Sequence, residues 1–149
     1  MKLPTPNIYD DARDVARFLW KHYPPTRNWM DPVGCIAWYI SYGFLGMLKN
    51  DSGRIQAVWV GRPVKKSIDG EKPWNYCELG QCIFMDLVVI KDAPLALSGV
   101  ALMVRARFGH RFWMAYHRRN EKRIRTVGYS QIINRAIGAG IESLKGQTA

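Results

Sequence analysis

Residues 81–109 read QCIFMDLVVIKDAPLALSGVALMVRARFG, and this stretch decides the fold. Its first ten residues are almost all apolar at odd and even positions alike, which is typical of a strand covered on both faces in the middle of a sheet. The apolar residues that follow repeat at the helical period, with Asp92 as a candidate N-cap and Gly109 just beyond the end. The stretch therefore predicts a central strand over 81–90 and a helix over 94–108.

Two helices are expected before this strand. Apolar residues at helical spacing predict a first helix over 8–22, which Pro24-Pro25 would end. Asp31-Pro32 combines an N-cap residue with proline at the first helical position, which favours a second helix start. The run that follows, 33–42, is apolar all round and fits a short helix or a strand, of which the helix is favoured.

A hairpin and a polar loop connect these helices to the central strand. Two apolar runs, 43–49 and 54–62, flank Asn50-Asp51-Ser52-Gly53, which is a strong turn signal. This arrangement predicts a β-hairpin. Residues 63–79 are polar and are expected to form a loop, part of which packs because it contains two aromatic residues.

The C-terminal third is expected to continue the sheet. Residues 111–117 predict a strand, 118–127 a basic turn or short helix, and 129–136 a last strand. Residues 138–149 are rich in Gly, Ser and Lys and are expected to fray. Together these elements predict a single α/β domain with a mixed central sheet flanked by helices.

Composition places the chain among ordinary globular proteins. It has 149 residues, of which 48% are hydrophobic and 23% charged, and this excludes a disordered tail or a fibre. No run approaches the roughly 18 apolar residues of a membrane span, and the first residues lack the apolar core of a secretion signal, so a cytoplasmic location is expected. Cys35, Cys77 and Cys82 are an odd number without C-x-x-C spacing, so neither a disulfide scaffold nor a metal site is expected.

The positive charge is concentrated in the C-terminal third. The chain carries 22 Lys+Arg against 12 Asp+Glu, a net charge of +10, and residues 101–149 alone carry ten basic against two acidic residues, or +8. This fits a polyanionic partner, such as a nucleic acid or a phosphorylated cofactor, or a basic face that only keeps the protein soluble. Interleaved aromatic residues would add stacking on bases to the phosphate contacts. The candidate nucleic-acid residues are Arg111, Arg118, Arg119, Lys122, Arg123 and Arg125.

Asp86 is the only charged residue in the apolar run 81–90. Burial of a carboxylate is costly unless the group is paired or hydrogen-bonded, and it raises the pKa of the carboxyl. A raised pKa suits a general base near neutral pH, so Asp86 is a candidate catalytic residue. The alternative is a structural ion pair with one of the arginines.

The helix start after the central strand is a candidate anion site. Backbone N–H groups in the first turn of a helix lack intrahelical partners and carry the positive end of the helix dipole. Gly99 would let a ligand such as a pyrophosphate come close to these amides. Alternatively, Gly99 only relieves packing between the helix and the sheet.

The order of elements resembles the GNAT acyl-CoA-dependent acyltransferase superfamily. In that family two helices, a hairpin, a long central strand and a cofactor-cradling helix precede strand, helix and strand. Its cofactor loop reads Gln/Arg-x-x-Gly-x-Gly/Ala, and the aligned stretch 96–101 keeps Gly99 and the final small residue but has Ala96 at the first position. Asn120 and Gly128-Tyr129 look like two further family positions, an Asn after the next strand and a Gly-Phe before the last.

The GNAT resemblance implies a mechanism and a set of binding residues. Acetyl-CoA or another acyl thioester would be the substrate that donates the acyl group. Backbone amides of the central strand would polarise the thioester carbonyl, and the helix start would bind the pyrophosphate. The residues implied for these contacts are Leu87, Val88, Val89, Leu97, Ser98, Gly99, Val100 and Asn120.

A narrower resemblance is to the toxin-activating lysine acyltransferases, a GNAT-like branch that takes its acyl group from acyl-acyl-carrier-protein. Leu19-Trp20, Pro25-Thr26-Arg27-Asn28-Trp29 and Phe84-Met85-Asp86 look similar to segments of that branch. Its catalytic histidine stands where this chain has Thr26, whereas its functional aspartate is matched by Asp86. The resemblance implies that a group other than that histidine serves as the base.

The expected function is therefore acyl transfer from a thioester donor, acyl-CoA or an acyl carrier, to an amine acceptor, with acetyl as the favoured acyl group. Asp86 would take the proton from the attacking amine, directly or through a water. The alternative is a non-catalytic protein of the same fold that binds nucleic acid through its basic C-terminal third.

Overall fold

The computed structural model describes residues 6–91, 95–117 and 122–148, and these residues form four α-helices and five strands. Two short 3-10 helices lie at Pro24–Asn28 and Ser67–Glu71. The α-helices and strands are, in chain order, α1 (Pro6–His22), α2 (Pro32–Ser41), β1 (Leu45–Lys49), β2 (Ile55–Val64), β3 (Cys82–Ile90), α3 (Ala96–Phe108), β4 (Trp113–His117), β5 (Ile124–Gly128) and α4 (Tyr129–Thr148).

The five strands form one mixed sheet in the order β1-β2-β3-β4-β5. Neighbouring strands are antiparallel except β3 and β4, which are parallel and are connected through helix α3. The strand predicted at 81–90 is therefore central, as its two-sided apolar pattern indicated. The prediction of an α/β domain with a mixed sheet is confirmed.

Local signals set the elements before the central strand. The Asp31 carboxylate accepts a hydrogen bond from the Gly34 N–H at 3.0 Å and caps α2, with Pro32 at the first helical position. In the turn between β1 and β2, the Asn50 side chain accepts hydrogen bonds from the backbone N–H groups of Ser52 and Arg54. The predicted second helix and hairpin are thereby confirmed.

The helices cover both faces of the sheet. On one face, Val15 of α1 and Ile36 of α2 pack with Val58 of β2. On the other face, Val104 of α3 packs with Trp59 of β2, together with residues of α4. Consecutive side chains of a strand point to opposite faces. Adjacent residues of β2 therefore pack into two different cores, the α1 and α2 core on one face and the α3 and α4 core on the other.

A β-bulge interrupts this alternation in β3. Val60 pairs with Leu87 and Gly61 pairs with Met85. Asp86 is therefore the extra residue of the bulge and has no pairing partner on β2. Met85 consequently packs with the α3 and α4 core, whereas Leu87 packs with the α1 and α2 core. The bulge thus turns Asp86 towards the face covered by α1 and α2.

The C-terminal third differs from the prediction. A basic turn or short helix is expected over 118–127; of these residues 118–121 lie outside the described ones, and Ile124–Gly128 form β5, which pairs with β4. The strand predicted over 129–136 is wrong, because these residues begin α4. This helix continues to Thr148, and the fraying of 138–149 stays a prediction. Tyr129 and Ile133 are buried one helical turn apart, so packing on the sheet selects the helix.

The remaining predictions agree in element type with small changes of bounds. The first helix, the central strand, the helix after it and the strand at 111–117 are all present. Within the predicted loop 63–79, β2 extends to Val64 and Ser67–Glu71 forms a 3-10 helix. The predicted cap Asp92 lies outside the described residues. In the described ranges, no helix combines the length and the apolar character needed to cross a membrane.

Candidate functional site

Asp86 forms a bidentate ion pair with Arg62 of β2. Arg62 Nε donates to Asp86 Oδ2 at 2.7 Å, and Arg62 Nη2 donates to Oδ1 at 2.8 Å. The Arg62 side chain is 1% exposed and that of Asp86 is 20% exposed. Such a planar, charge-assisted pair fixes the orientation of both groups. The interpretation of Asp86 as an ion-pair partner is therefore correct, and its partner is Arg62.

The other N–H groups of Arg62 bind backbone carbonyls of the second 3-10 helix, Ser67–Glu71, and of the loop that follows it. Nη1 donates to the carbonyls of Lys72 and Asn75 at 3.0 and 2.7 Å, and Nη2 donates to the Gly70 carbonyl at 2.6 Å. Together with the two bonds to Asp86, all five N–H donors of the guanidinium are used. Arg62 thus joins the bulged carboxylate to residues 70–75.

Burial and the ion pair both shift the pKa values of Asp86 and Arg62. Burial raises the pKa of the Asp86 carboxyl, and the hydrogen bonds and charge of Arg62 oppose this shift. Burial would lower the pKa of the Arg62 guanidinium, but the hydrogen bond and charge of Asp86 outweigh it, so that pKa is raised. Arg62 therefore stays charged, and Asp86 is a more basic carboxylate than a surface aspartate.

An aromatic groove of about 700 Å³ lies between α2 and the loop that Arg62 holds. Trp38 and Tyr39 of α2 form one side and Trp74 of the loop the other, with the Trp38 and Trp74 rings at 81° and 4.9 Å between centroids. Tyr39 and Trp74 stack at 29° and 5.9 Å. The remaining lining residues are Trp29, Met30, Asp31, Gly34, Cys35 and Pro73.

Trp74 adopts a strained backbone conformation. Its φ is +66°, and every other described residue with a positive φ is a glycine. A bulky L-residue in this region costs on the order of 1–3 kcal/mol and persists only where the surroundings impose it. Here the carbonyls of Lys72 and Asn75, on either side of Trp74, are both fixed by Arg62.

The Asp86 carboxylate lies within electrostatic reach of the groove. Burial raises the pKa of the Tyr39 hydroxyl, and the charge of Asp86 raises it further. Burial also raises the pKa of the Cys35 thiol, with further increases from the charges of Asp31 and Asp86. The inner wall of the groove is thus reached by the charges of Asp31 and Asp86, and at Tyr39 the charge of Arg62 opposes that of Asp86.

The described pairing of β3 with β4 ends next to Asp86. Their pairing runs from Cys82 and Trp113 to Met85 and Tyr116, and no further pair is formed within the described ranges. Val88, two residues beyond Asp86, is 44% exposed. The half of β3 after the bulge is thus paired with β2 on one edge, and its other edge lies beyond the end of the β3–β4 ladder.

The residues predicted to contact a thioester donor are spread over two environments. Leu87 and Val89 are buried in the α1 and α2 core, so that only their backbone is available to a ligand, whereas Val88 is exposed. At the start of α3, Val100 is buried and Leu97 is exposed. Asn120 lies outside the described residues.

Gly99 serves helix packing. Its N–H donates to the Leu95 carbonyl at 3.1 Å, so the expectation that this amide is unpaired is wrong. A Cβ at this position would lie 3.2 Å from Leu48 Cδ2 of β1, which means that the helix approaches the sheet here. The Ser98 hydroxyl donates to the Ile137 carbonyl of α4 at 3.4 Å. The interpretation of Gly99 as a packing residue is the one that the contacts favour.

The predicted basic contacts are only partly available. Arg111 donates to the carbonyls of Phe108, Glu78 and Gly80, so its guanidinium is engaged within the protein. Lys122 and Arg123 are exposed just before β5, and Arg125 is half-buried. Arg118 and Arg119 lie outside the described residues.

Thr26, at the position of the histidine in the toxin-activating branch, is fully buried. Its hydroxyl donates to the Tyr23 carbonyl at 2.8 Å and stabilises the 3-10 turn after α1. A buried hydroxyl with this partner has no access to a substrate. Thr26 therefore supplies no acid–base group at this position.

Sequence reasoning missed Arg62, Tyr39 and Trp74. Arg62 carries a usable signal, because it is the only charged residue in the apolar run 55–64, as Asp86 is in its own run. Two lone opposite charges in two predicted strands indicate a buried pair. The groove itself has no such signal, because aromatic residues are equally common in cores.

A substitution at Gly70 tests how closely the second 3-10 helix packs against Phe84 of the sheet. An added Cβ at Gly70 would overlap the Phe84 ring of β3, and the Gly70 carbonyl accepts from Arg62. Gly70→Ala is expected to lower the free energy of unfolding by about 1–3 kcal/mol, as for other overpacked sites. Gly138→Ala in α4, where an added Cβ meets nothing within 4 Å, is the control and is expected to be neutral or stabilising. Urea unfolding of both variants measures the difference, and equal stabilities would contradict the fit.

The described residues contain no group of three or more His, Cys, Asp or Glu side chains placed to hold a metal ion. Comparison of the chain with family models, with curated proteins and with solved structures finds no match. The site geometry is therefore the ground on which a function for this chain has to be argued.

Proposed function

We propose that the protein is an acyltransferase that moves an acyl group, with acetyl favoured, from a thioester donor to an amine acceptor. The observation that carries the proposal is the position of Asp86. A bulge aims this carboxylate out of the central strand, beside the end of the described β3–β4 pairing and behind the wall of the aromatic groove. Bulges of this kind re-aim side chains at functional sites.

The chemistry requires a base, a polarised carbonyl and two bound reactants. The amine nitrogen attacks the thioester carbonyl, a C–N bond forms, the C–S bond breaks, and the thiolate leaves and takes up a proton. Asp86 accepts the proton that the attacking amine gives up. A carboxylate has about four acceptor positions and Arg62 uses two, so acceptor capacity is left on the 20% exposed side chain.

The edge of β3 beyond the bulge is the place for the thioester carbonyl. Backbone N–H groups there that are not used by β2 can donate to the oxyanion of the tetrahedral intermediate. The first turn of α3 offers the amides of Ala96, Leu97 and Ser98 for a phosphate of the donor. Gly99 is removed from this set because its amide is bonded to Leu95.

The first experiment is binding and turnover with defined donors. Acetyl-CoA, a long-chain acyl-CoA and an acyl-acyl-carrier-protein are each mixed with the protein and with a set of peptide and small amines. At a concentration of 100 times its Kd, a bound donor is expected to raise the Tm by about 5–10 °C. Mass spectrometry of the amines is expected to show the added acyl group. Absence of both effects with all three donors would contradict the proposal.

The alternative, nucleic-acid binding, is favoured by one observation, the exposure of Lys122 and Arg123 in a third of the chain that carries +8. Binding of this kind weakens steeply with salt, because phosphate contacts release counterions. Measurement of DNA and RNA affinity between low and physiological salt distinguishes it from donor binding. Lys122→Gln/Arg123→Gln is expected to flatten the salt dependence under the alternative and to leave donor binding unchanged.

A further inference from the structure

We propose that the aromatic groove between α2 and the loop at 72–76 is a binding site for an alkylammonium group, held by the faces of Trp38, Tyr39 and Trp74 and by the Asp31 carboxylate. The proposal stands apart from acyl transfer, since the amine bound there need not be an acceptor. A role of the groove in presenting an acceptor amine to Asp86 would rest on the proposed function.

The wall of the groove is an aromatic surface that can bind a cation. The Trp74 ring packs nearly at right angles on that of Trp38 and stacks on that of Tyr39, so aromatic surface in two orientations borders the groove. An ammonium group within about 6 Å of such ring centroids is attracted by the negative π faces, most strongly by those of tryptophan. The groove has a volume of about 700 Å³, enough for an ammonium and its alkyl stem.

The charges around the groove favour a cation over a neutral apolar ligand. Asp31 lies on the rim, and its Oδ1 accepts the Gly34 N–H while Oδ2 has no hydrogen-bond partner in the described parts of the chain. The charge of Asp86 also reaches Tyr39, where the charge of its partner Arg62 opposes it. None of the described residues that line the groove is basic, in a chain with 22 Lys+Arg. A positive ligand is therefore attracted to this groove and repelled by most of the remaining surface.

The loop side of the groove is pre-organised. Trp74 is 47% exposed, yet it has a φ of +66° within a turn that the Asn75 N–H closes on the Lys72 carbonyl, and Arg62 donates to the carbonyls of both end residues. Strain of this type concentrates at ligand sites, where the surrounding structure imposes it. A fixed exposed ring loses little conformational entropy when a ligand binds to its face.

The test uses a cation and its neutral analogue. The indole N–H signals of the tryptophans are followed by NMR in the ¹⁵N-labelled protein during titration with n-butylammonium chloride and, separately, with 1-butanol. The ammonium is expected to shift the Trp38 and Trp74 signals in a saturable way, with an affinity at least about tenfold higher than that of the alcohol. Equal affinities, or absence of a saturable shift with the ammonium, would overturn the proposal.

Two variants and two controls assign the binding to these residues. Trp74→Leu is expected to weaken n-butylammonium binding by about 3- to 30-fold, the range of a cation–π contact. Asp31→Asn should also weaken it, while asparagine still caps α2 as well as aspartate does. Trp113→Leu, at a tryptophan of similar exposure outside the groove, and Asp51→Asn in the β1–β2 turn should leave the affinity unchanged. Weakening by the controls and not by the groove variants would overturn the proposal.

The source of the ammonium is distinguished by a third ligand. Nα-acetyl-lysine methylamide presents the same ammonium on a peptide backbone. Tighter binding than that of n-butylammonium assigns the group to a protein side chain, and equal or weaker binding assigns it to a free amine. Because the readout is binding, failure to detect acyl transfer leaves this proposal intact, and loss of ammonium binding leaves the proposed activity intact.

Discussion

Arg62→Met is expected to lower the free energy of unfolding by about 3–5 kcal/mol, because it leaves a buried carboxylate without its counter-ion. The same change removes the donors from the carbonyls of Gly70, Lys72 and Asn75. Each buried acceptor left without a donor adds to the loss. In addition, the 70–75 loop should loosen, and the fluorescence of Trp74 should shift towards that of a solvent-exposed indole.

A double-variant cycle separates the ion pair from the loop contacts. Asp86→Leu in the Arg62→Met background removes the uncompensated charge, so the double variant should be more stable than the Arg62→Met protein. Arg54→Met, at an exposed arginine after the β1–β2 turn, is the control and should change the stability by less than about 0.5 kcal/mol. Strict additivity of the Arg62 and Asp86 effects in urea unfolding would show that the pair contributes no coupling.

The elements that the sequence predicts correctly are those with a strong local pattern. The run 81–90 is apolar on both sides, and a strand of this kind has no stable place except the middle of a sheet. The turn at Asn50–Gly53 is formed by side chains that bond to the nearby backbone, so its signal is contained in four residues. In both cases the local preference and the tertiary structure agree.

The strand predicted over 129–136 is wrong because tertiary contacts, and not the local pattern, determine the secondary structure of this segment. Tyr129, Ile132 and Ile133 fit a short strand as well as a helix, and Gly138 and Gly140 disfavour a helix. The contacts of Tyr129 and Ile133 within the α3 and α4 core select the helix. Periodicity over eight residues could not distinguish the two, and the pairing of β5 with β4 is a long-range contact that periodicity does not contain.

At the site, residue type was predictable and geometry was not. The isolated charge of Asp86 indicated a paired or functional carboxylate from sequence alone. Its partner, and the bulge that aims it, depend on the register between β2 and β3, which the sequence does not reveal. For Gly99 the sequence left two interpretations open, and only the distance to Leu48 favours packing.

Asp86→Asn is expected to reduce turnover on the order of a hundredfold or more, if the proposed acyl transfer is correct. Asparagine keeps the shape of the side chain and one carbonyl oxygen for Arg62, but its amide cannot take a proton from the attacking amine. Stability should fall as well, because Arg62 loses the negative charge that compensates it. Turnover is therefore compared per folded molecule, with the folded fraction taken from the Tm and the urea midpoint of the same preparation.

The pH profile of turnover distinguishes a base from a structural partner. A base must be ionised, so kcat/KM should rise with pH through the pKa of Asp86 and then level off. Because burial raises that pKa, the rise should fall at a higher pH than for a surface aspartate. In the Asn variant the residual activity should lack this rise. A structural partner would instead give a less stable variant with unchanged activity per folded molecule and an unchanged profile, and a stable, fully active variant would leave Asp86 with neither role.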